Sequence, residues 1–158
     1  MRLIKLALIS FIALALLVTI FSLFIPANVR ISRAVSIRAH KDSVLELIKN
    51  QERWPEWNPA FAPNREHQQI SSRFTGFSDS SVTAVWQQGN RQSIPTGWRV
   101  YYIPEIDSLT LHWYMDFHQP WYPWKKFESM FFDKAYGSMM EEGLGRLKKI
   151  VQGEAVSR

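Results

Sequence analysis

Two histidines and an aspartate in one alternating run, His112, Asp116 and His118, are the first residues here whose types could do chemistry. If the run is a strand, they share a face. At about 3.3 Å per residue, though, His112 and His118 sit about 20 Å apart, too far to hold one metal ion. Asp116 and His118, about 7 Å apart, could in principle form an acid–base pair. Their parity is the polar one, expected to face water. Cysteine is absent, which excludes disulfides, thiolate metal sites and a cysteine nucleophile in one step. Neither HExxH nor GxSxG occurs. Gly143-Leu144-Gly145 is a fragment of GxGxxG, but it falls inside a helical pattern rather than after a strand, so it does not support phosphate binding. Glu141-Glu142 reads as a solvated helix face. No catalytic set, metal or cofactor is implied.

The elements that position these residues follow from their periodicity. From Asp107 the chain alternates cleanly: Leu109, Leu111, Trp113, Met115 and Phe117 on one parity, Thr110, His112, Tyr114, Asp116 and His118 on the other. The first set is large and apolar, so that face of the strand points inward. Val29 to Ala39 alternates similarly, with Arg33 interrupting the apolar side. Between these strands, Val44, Leu47 and Ile48 give Lys41 to Gln51 a helical period, with Asp42 in its first turn. Trp54-Pro55-Glu56-Trp57-Asn58-Pro59-Ala60-Phe61 carries two prolines that prevent a long helix, and its two Trp can share one side of a turn. This segment reads as a hydrophobic plug.

Three more extended segments precede Asp107. Gln68 to Thr75 is polar and weakly patterned, Ser81 to Gln88 places Val82, Ala84 and Trp86 on one face, and Gly97 to Ile103 places Trp98, Val100 and Tyr102 together. Gly89-Asn90 is a plausible hairpin turn, and Pro95 predicts an edge or bulge. From Pro123 to Gln152 one long helix is expected, striped by Phe132, Tyr136, Met140, Leu144, Leu147 and Val151. Gly137 and Gly143 each cost helix stability, about 1 kcal/mol relative to Ala, so their use should be a close approach to other groups. The pattern predicts an α+β fold: a curved antiparallel sheet with the long C-terminal helix on one face.

Ahead of this lies Leu6 to Ile25, an uncharged run in which fourteen of twenty residues are Leu, Ile, Phe or Val. As a helix it reaches about 30 Å, the thickness of a bilayer's hydrocarbon core. It is longer than the apolar part of a cleavable signal and lacks a small-x-small end. It is also apolar all round, unlike a core helix. The expected organisation is a single-pass membrane anchor over 1–26, one domain over 27–152 and a tail over 153–158. Lys and Arg flank the anchor on both sides, and the short N-terminal tail favours a domain outside the cytoplasm.

The net charge of +5 falls to +3 for the domain once Arg2 and Lys5 are set aside. Its basic residues are scattered rather than striped, so nucleic acid is not an expected partner.

The Ile25-Pro26 exit into Arg33-Ala34-Val35-Ser36-Ile37, the Trp54-Pro55-Glu56-Trp57-Asn58-Pro59 segment, Trp113 in the last long strand and Gly143-Leu144…Leu147-Lys148 near the end of the final helix together resemble the START-like helix-grip superfamily (SRPBCC). That group includes birch-pollen-type allergens, lipid-transfer START domains and polyketide cyclases. The resemblance covers about residues 26–152 and is nearest to bacterial members with an N-terminal membrane segment. It implies a long helix gripping a sheet around an elongated apolar cavity, with lipids, sterols or polyketides as ligands.

The aromatic load agrees with a cavity. All seven Trp lie beyond the anchor, and a small solid core would struggle to bury them all, so the inward ones either line a pocket or simply fill the core. Candidate cavity residues are Arg33, Trp57, Trp86, Trp98, Tyr102, Trp113, Met115, Phe132, Tyr136 and Met140. The expected function is a membrane-tethered domain, held through Leu6–Ile25, that binds a hydrophobic small molecule or lipid. The alternatives are a cyclase- or hydrolase-like enzyme using inward Arg33 and Tyr136, or an interaction module whose Trp54–Phe61 and Trp121–Trp124 segments form an exposed aromatic patch.

Overall fold

The first helix, α1 (Arg2–Leu23), stands outside the packed core, its Leu, Ile and Phe side chains exposed along its length. Its 22 residues span about 33 Å. By length and composition it is able to cross a membrane. It stops three residues before Pro26, which cannot extend a helix. The computed structural model describes residues 2–63, 70–89, 93–104 and 108–153.

Five strands follow: β1 (Asn28–Ile37), β2 (Ile70–Phe77), β3 (Ser81–Gln88), β4 (Ile94–Ile103) and β5 (Ser108–His118). They pair antiparallel throughout in the order β1-β5-β4-β3-β2. The registers place Asn28, His118, Ile94, Gln88 and Ile70 at one end of the sheet and Ile37, Ser108, Ile103, Ser81 and Phe77 at the other. The first of these ends is the one at which α1 enters.

Between β1 and β2 the chain forms α2 (Lys41–Lys49) and then α3 (Trp54–Trp57), flanked by two single 3₁₀ turns. Asn50 and Asn58 each cap one of those turns, accepting from the backbone N–H of Glu52 and Ala60. After β5 come α4 (Pro123–Ser129), a turn of π-helix over Asp133–Gly137, and α5 (Ser138–Val151). The inward faces of the strands, α2, α3 and α5 enclose one hydrophobic core. The architecture is α+β, a curved antiparallel sheet with a long C-terminal helical arm and an apolar N-terminal helix.

β5 alternates as expected: Leu109, Leu111, Trp113, Met115 and Phe117 are all buried. Two sequence expectations change and one alternative falls away. The C-terminal arm is not one regular helix. At Met130 and Phe131 the backbone tightens to i→i−3 hydrogen bonds of 3.2 and 3.1 Å, and a π turn follows before α5 begins. β4 is an interior strand rather than an edge. Pro95 fits there because it pairs only with Val85 of β3; the β5 ladder starts one residue later, at Thr96. The Trp54–Phe61 segment is the hydrophobic plug first read from it and not the alternative surface patch, since Trp54 and Trp57 lie wholly inside the core. Gln68, Gln69, Asn90 and Asp107, used above in placing strand and turn boundaries, lie outside the described residues.

An apolar cleft beside a tryptophan-filled core

α3 brings Trp54 and Trp57 down onto the sheet, where they meet Trp86 of β3, Trp98 of β4 and Trp113 of β5. The five indoles form a connected cluster with contacting ring centroids 5.4 to 6.3 Å apart. Such spacings fall within the attractive range for edge-to-face and offset pairs. Two of the indole N–H groups are satisfied: Trp54 Nε1 donates to the Ile48 carbonyl at 2.7 Å, and Trp113 Nε1 to Thr96 Oγ1 at 2.9 Å. Thr96 passes the chain on, donating to the Tyr114 carbonyl at 3.0 Å. The Nε1 atoms of Trp57, Trp86 and Trp98 are buried without a partner among the described residues, so ring packing alone holds them.

This cluster settles the deep half of the expected cavity: it is filled. Trp57, Trp98, Trp113, Met115 and Met140 are core residues with essentially no exposed surface. Gly143 makes the closure possible, because a Cβ there would stand 3.0 Å from the Trp113 ring and 3.1 Å from Pro59. α5 can therefore lie directly on the indoles.

Open space remains towards the α1 end of the sheet. A cleft of about 470 Å³ runs between the π-turn region of the C-terminal arm and the sheet, walled by Trp86, Ile94, Phe132, Tyr136 and Met139 and floored by Ala60 and Ile70. It continues outward into a second lobe of about 430 Å³, past Phe117, His118 and Gln119. Trp86 and Ile94 are register partners on adjacent strands, so the ladder itself sets one wall. The opposite wall is a ring stack: Phe117 contacts Phe132 and Tyr136 at centroid distances of 4.8 and 4.7 Å. Gln88, Glu128, Ser138 and Glu142 add polar groups to this lining, and the outer lobe is more polar still, with Ser93, His118, Gln119 and Lys125. A cleft this size, its inner lobe more apolar than polar, suits a small hydrophobic molecule.

Of the residues expected to line a cavity, Trp86, Phe132 and Tyr136 therefore meet in the cleft. Arg33 does not. Its side chain leaves the edge strand β1 at the inward parity but ends at the outer rim of the helical arm, with Nε 2.6 Å from Glu141 and Nη1 3.0 Å from Asp133. Those two hydrogen bonds also hold its guanidinium charged above the ordinary arginine range. Tyr102 is 40% exposed at the far end of β4, beyond the cover of α5. Sequence reasoning missed Ile94, Ala135 and Met139. Carrying the Trp98 parity two steps back through Thr96 would have found Ile94.

Of the three residues first considered for chemistry, His112 and Asp116 stay on the outer face, and His118, at the strand end, borders the second lobe. Asp116 forms a two-pronged pair with Arg30 at 2.6 and 2.8 Å, and the same guanidinium lies 4.8 Å over the Tyr114 ring. His118 Nδ1 is 2.7 Å from Asn28 Oδ1. His112 is lowered in pKa, first by burial and then by the charges of Arg99 and Arg30, so its neutral form is favoured.

No family model matches the chain, and no curated protein matches it in sequence. Solved structures do match. An uncharacterised protein from Bacillus thuringiensis aligns over 78% of this chain and 99% of its own, with a TM-score of 0.60 and 14% identity. A START superfamily protein from Mycobacterium smegmatis aligns over 78% and 97%, with a TM-score of 0.56 and 16% identity. The di-domain ARO/CYC protein StfQ of the steffimycin biosynthetic pathway aligns over 80% of this chain and 52% of its own, with a TM-score of 0.61 and 11% identity. Sheet order, helical arm and these matches together establish that the chain has the START-like helix-grip fold.

Proposed function

We propose that this protein is a membrane-tethered binding module that holds a hydrophobic small molecule or lipid chain in the cleft walled by Trp86, Ile94, Phe132, Tyr136 and Met139. The cleft carries the reading: its inner lobe is more apolar than polar, it is of ligand size, and it lies beside a core of fully buried side chains. The fold shared with a START superfamily protein and an ARO/CYC protein supports an apolar ligand. α1 is the tether, by its length, its apolar surface and its exposure. Among the described residues the cleft offers no arginine to a substrate, because Arg33 is engaged outside it by Asp133 and Glu141. This favours binding over the cyclase- or hydrolase-like alternative.

The test is titration of the full chain, in nanodiscs, with the apolar fluorophore N-phenylnaphthylamine, alongside Ile94→Trp and Ala135→Trp. Saturable binding that either bulky substitution weakens at least tenfold, with unfolding midpoints unchanged, is the expected result. Equal binding by wild type and both variants would sink the proposal.

A further inference from the structure

The segment from Trp121 to Phe131 carries an apolar surface that none of the described residues covers. Trp121 is 73% exposed, Trp124 67%, Met130 66% and Phe131 71%, with Tyr122 and Phe127 partly exposed beside them. Tyr122 and Trp124 stack with rings 5.4 Å apart and 6° from parallel, so they present a rigid plate. Isolated exposed aromatics are ordinary, but a contiguous set on one short helix and its flanks marks a contact surface.

Its position says what it contacts. α4 packs against α1. The backbone N–H of Gln119, two residues before Trp121, donates to the carbonyl of Ala27 at 2.7 Å, and Ala27 lies just past the end of α1. The aromatic plate is thus held beside the C-terminal end of the apolar helix, where Phe24 is 81% exposed. Trp and Tyr at that level of a span are the side chains that favour the boundary between headgroups and acyl chains. Charge adds little: Lys125 is paired with Glu128 at 2.7 Å, and Arg30 with Asp116. Glu128, Phe131 and Phe132, within or next to the plate, also border the cleft.

We propose that Trp121, Tyr122, Trp124, Phe127, Met130 and Phe131 form a membrane-docking surface that seats in the interface of the bilayer holding α1 and sets the cleft mouth against it. The proposal rests on the reading of α1 as a span, and not on any ligand in the cleft.

The chain has no cysteine, so single spin labels are unambiguous. Full-length protein carrying Trp124→Cys, Phe131→Cys, Leu14→Cys or Ser80→Cys, each at an exposed position, is placed one copy per nanodisc of zwitterionic lipid. Collision rates with oxygen and with a water-soluble nickel chelate then read depth. The expected result is an oxygen-to-nickel ratio several-fold higher at 124 and 131 than at 80, highest at 14, and unchanged in high salt. Labels at 124 and 131 that match 80 while 14 remains deep would overturn the docking surface and leave the anchor standing. An aqueous label at 14 would overturn both. Labels at 124 and 131 shielded from both quenchers would place them against protein instead of lipid, and would also overturn it.

Discussion

Arg33 and Gly137 share one volume: the guanidinium lies where a side chain at position 137 would begin, and a Cβ there would collide with it. Asp133 and Glu141 flank Gly137 four residues away on either side, and Arg33 reaches both. One arginine on an edge strand thereby clamps two turns of the helical arm. The glycine is the last residue of the π turn.

Gly137→Ala should reverse its sign with background. In the wild type it displaces the clamp, and stability should fall by about 1 kcal/mol despite the better helix propensity of alanine. In Arg33→Ala the same substitution meets no guanidinium and should stabilise by up to about 1 kcal/mol. Denaturant midpoints of the four proteins in one detergent give the coupling directly. Equal effects in both backgrounds would dismiss the clamp.

Gly143→Val should destabilise by about 2 kcal/mol, because the Trp113 ring, Pro59 and the Trp57 carbonyl already stand 3.0 to 3.4 Å from where its Cβ would sit. Gly145, with nothing within 4 Å, is the control. Gly145→Ala should be neutral or stabilising by up to about 1 kcal/mol.

The five indoles should separate by the state of their N–H groups. Trp113→Phe removes the donor to Thr96, and Trp54→Phe the donor to Ile48. Each leaves an acceptor short of a bond and should cost about 1 kcal/mol more than Trp98→Phe or Trp57→Phe, whose N–H groups have no partner to orphan. Urea unfolding of the four variants checks the ranking.

His112 should make the fold less stable in mild acid. Its folded pKa lies below the ordinary 6.5, so the unfolded chain binds the proton more readily. Its contribution is complete above about pH 6.5 and is lost as pH falls through the lower folded value. Denaturant midpoints should therefore drop between pH 7.5 and pH 5.5, and His112→Asn should drop less. A wild-type slope no steeper than the variant's would refute the assignment.

Much of the fold was legible because strands and helices impose fixed periods. The strict alternation from Leu109 to Phe117 made β5 readable residue by residue, and the stripe from Met140 to Leu147 made α5 so. What parity cannot say is whether the space an inward side chain enters is empty. Trp98, Trp113 and Met115 do point inward, yet Trp54 and Trp57 arrive from α3 and fill that space. Arg33 and Tyr102 share inward parity but stand at an edge strand and a strand end, where the cover of the helical arm gives out. The break at Met130 has no proline or glycine to announce it, and the apolar spacing runs through it undisturbed. The cleft lies along the segment where the hydrogen-bond pattern changes, and its lining there includes Ala135 and Met139.

Four residues, Phe24 to Ala27, join α1 to β1. Fully extended they reach about 14 Å. The bond from Gln119 to Ala27 shortens even that. If α1 is the proposed tether and the cleft the proposed binding site, that site would diffuse only in the plane of the bilayer, as a docking station and not a ferry. Its ligand would have to arrive sideways through the lipid or be handed over by a soluble visitor.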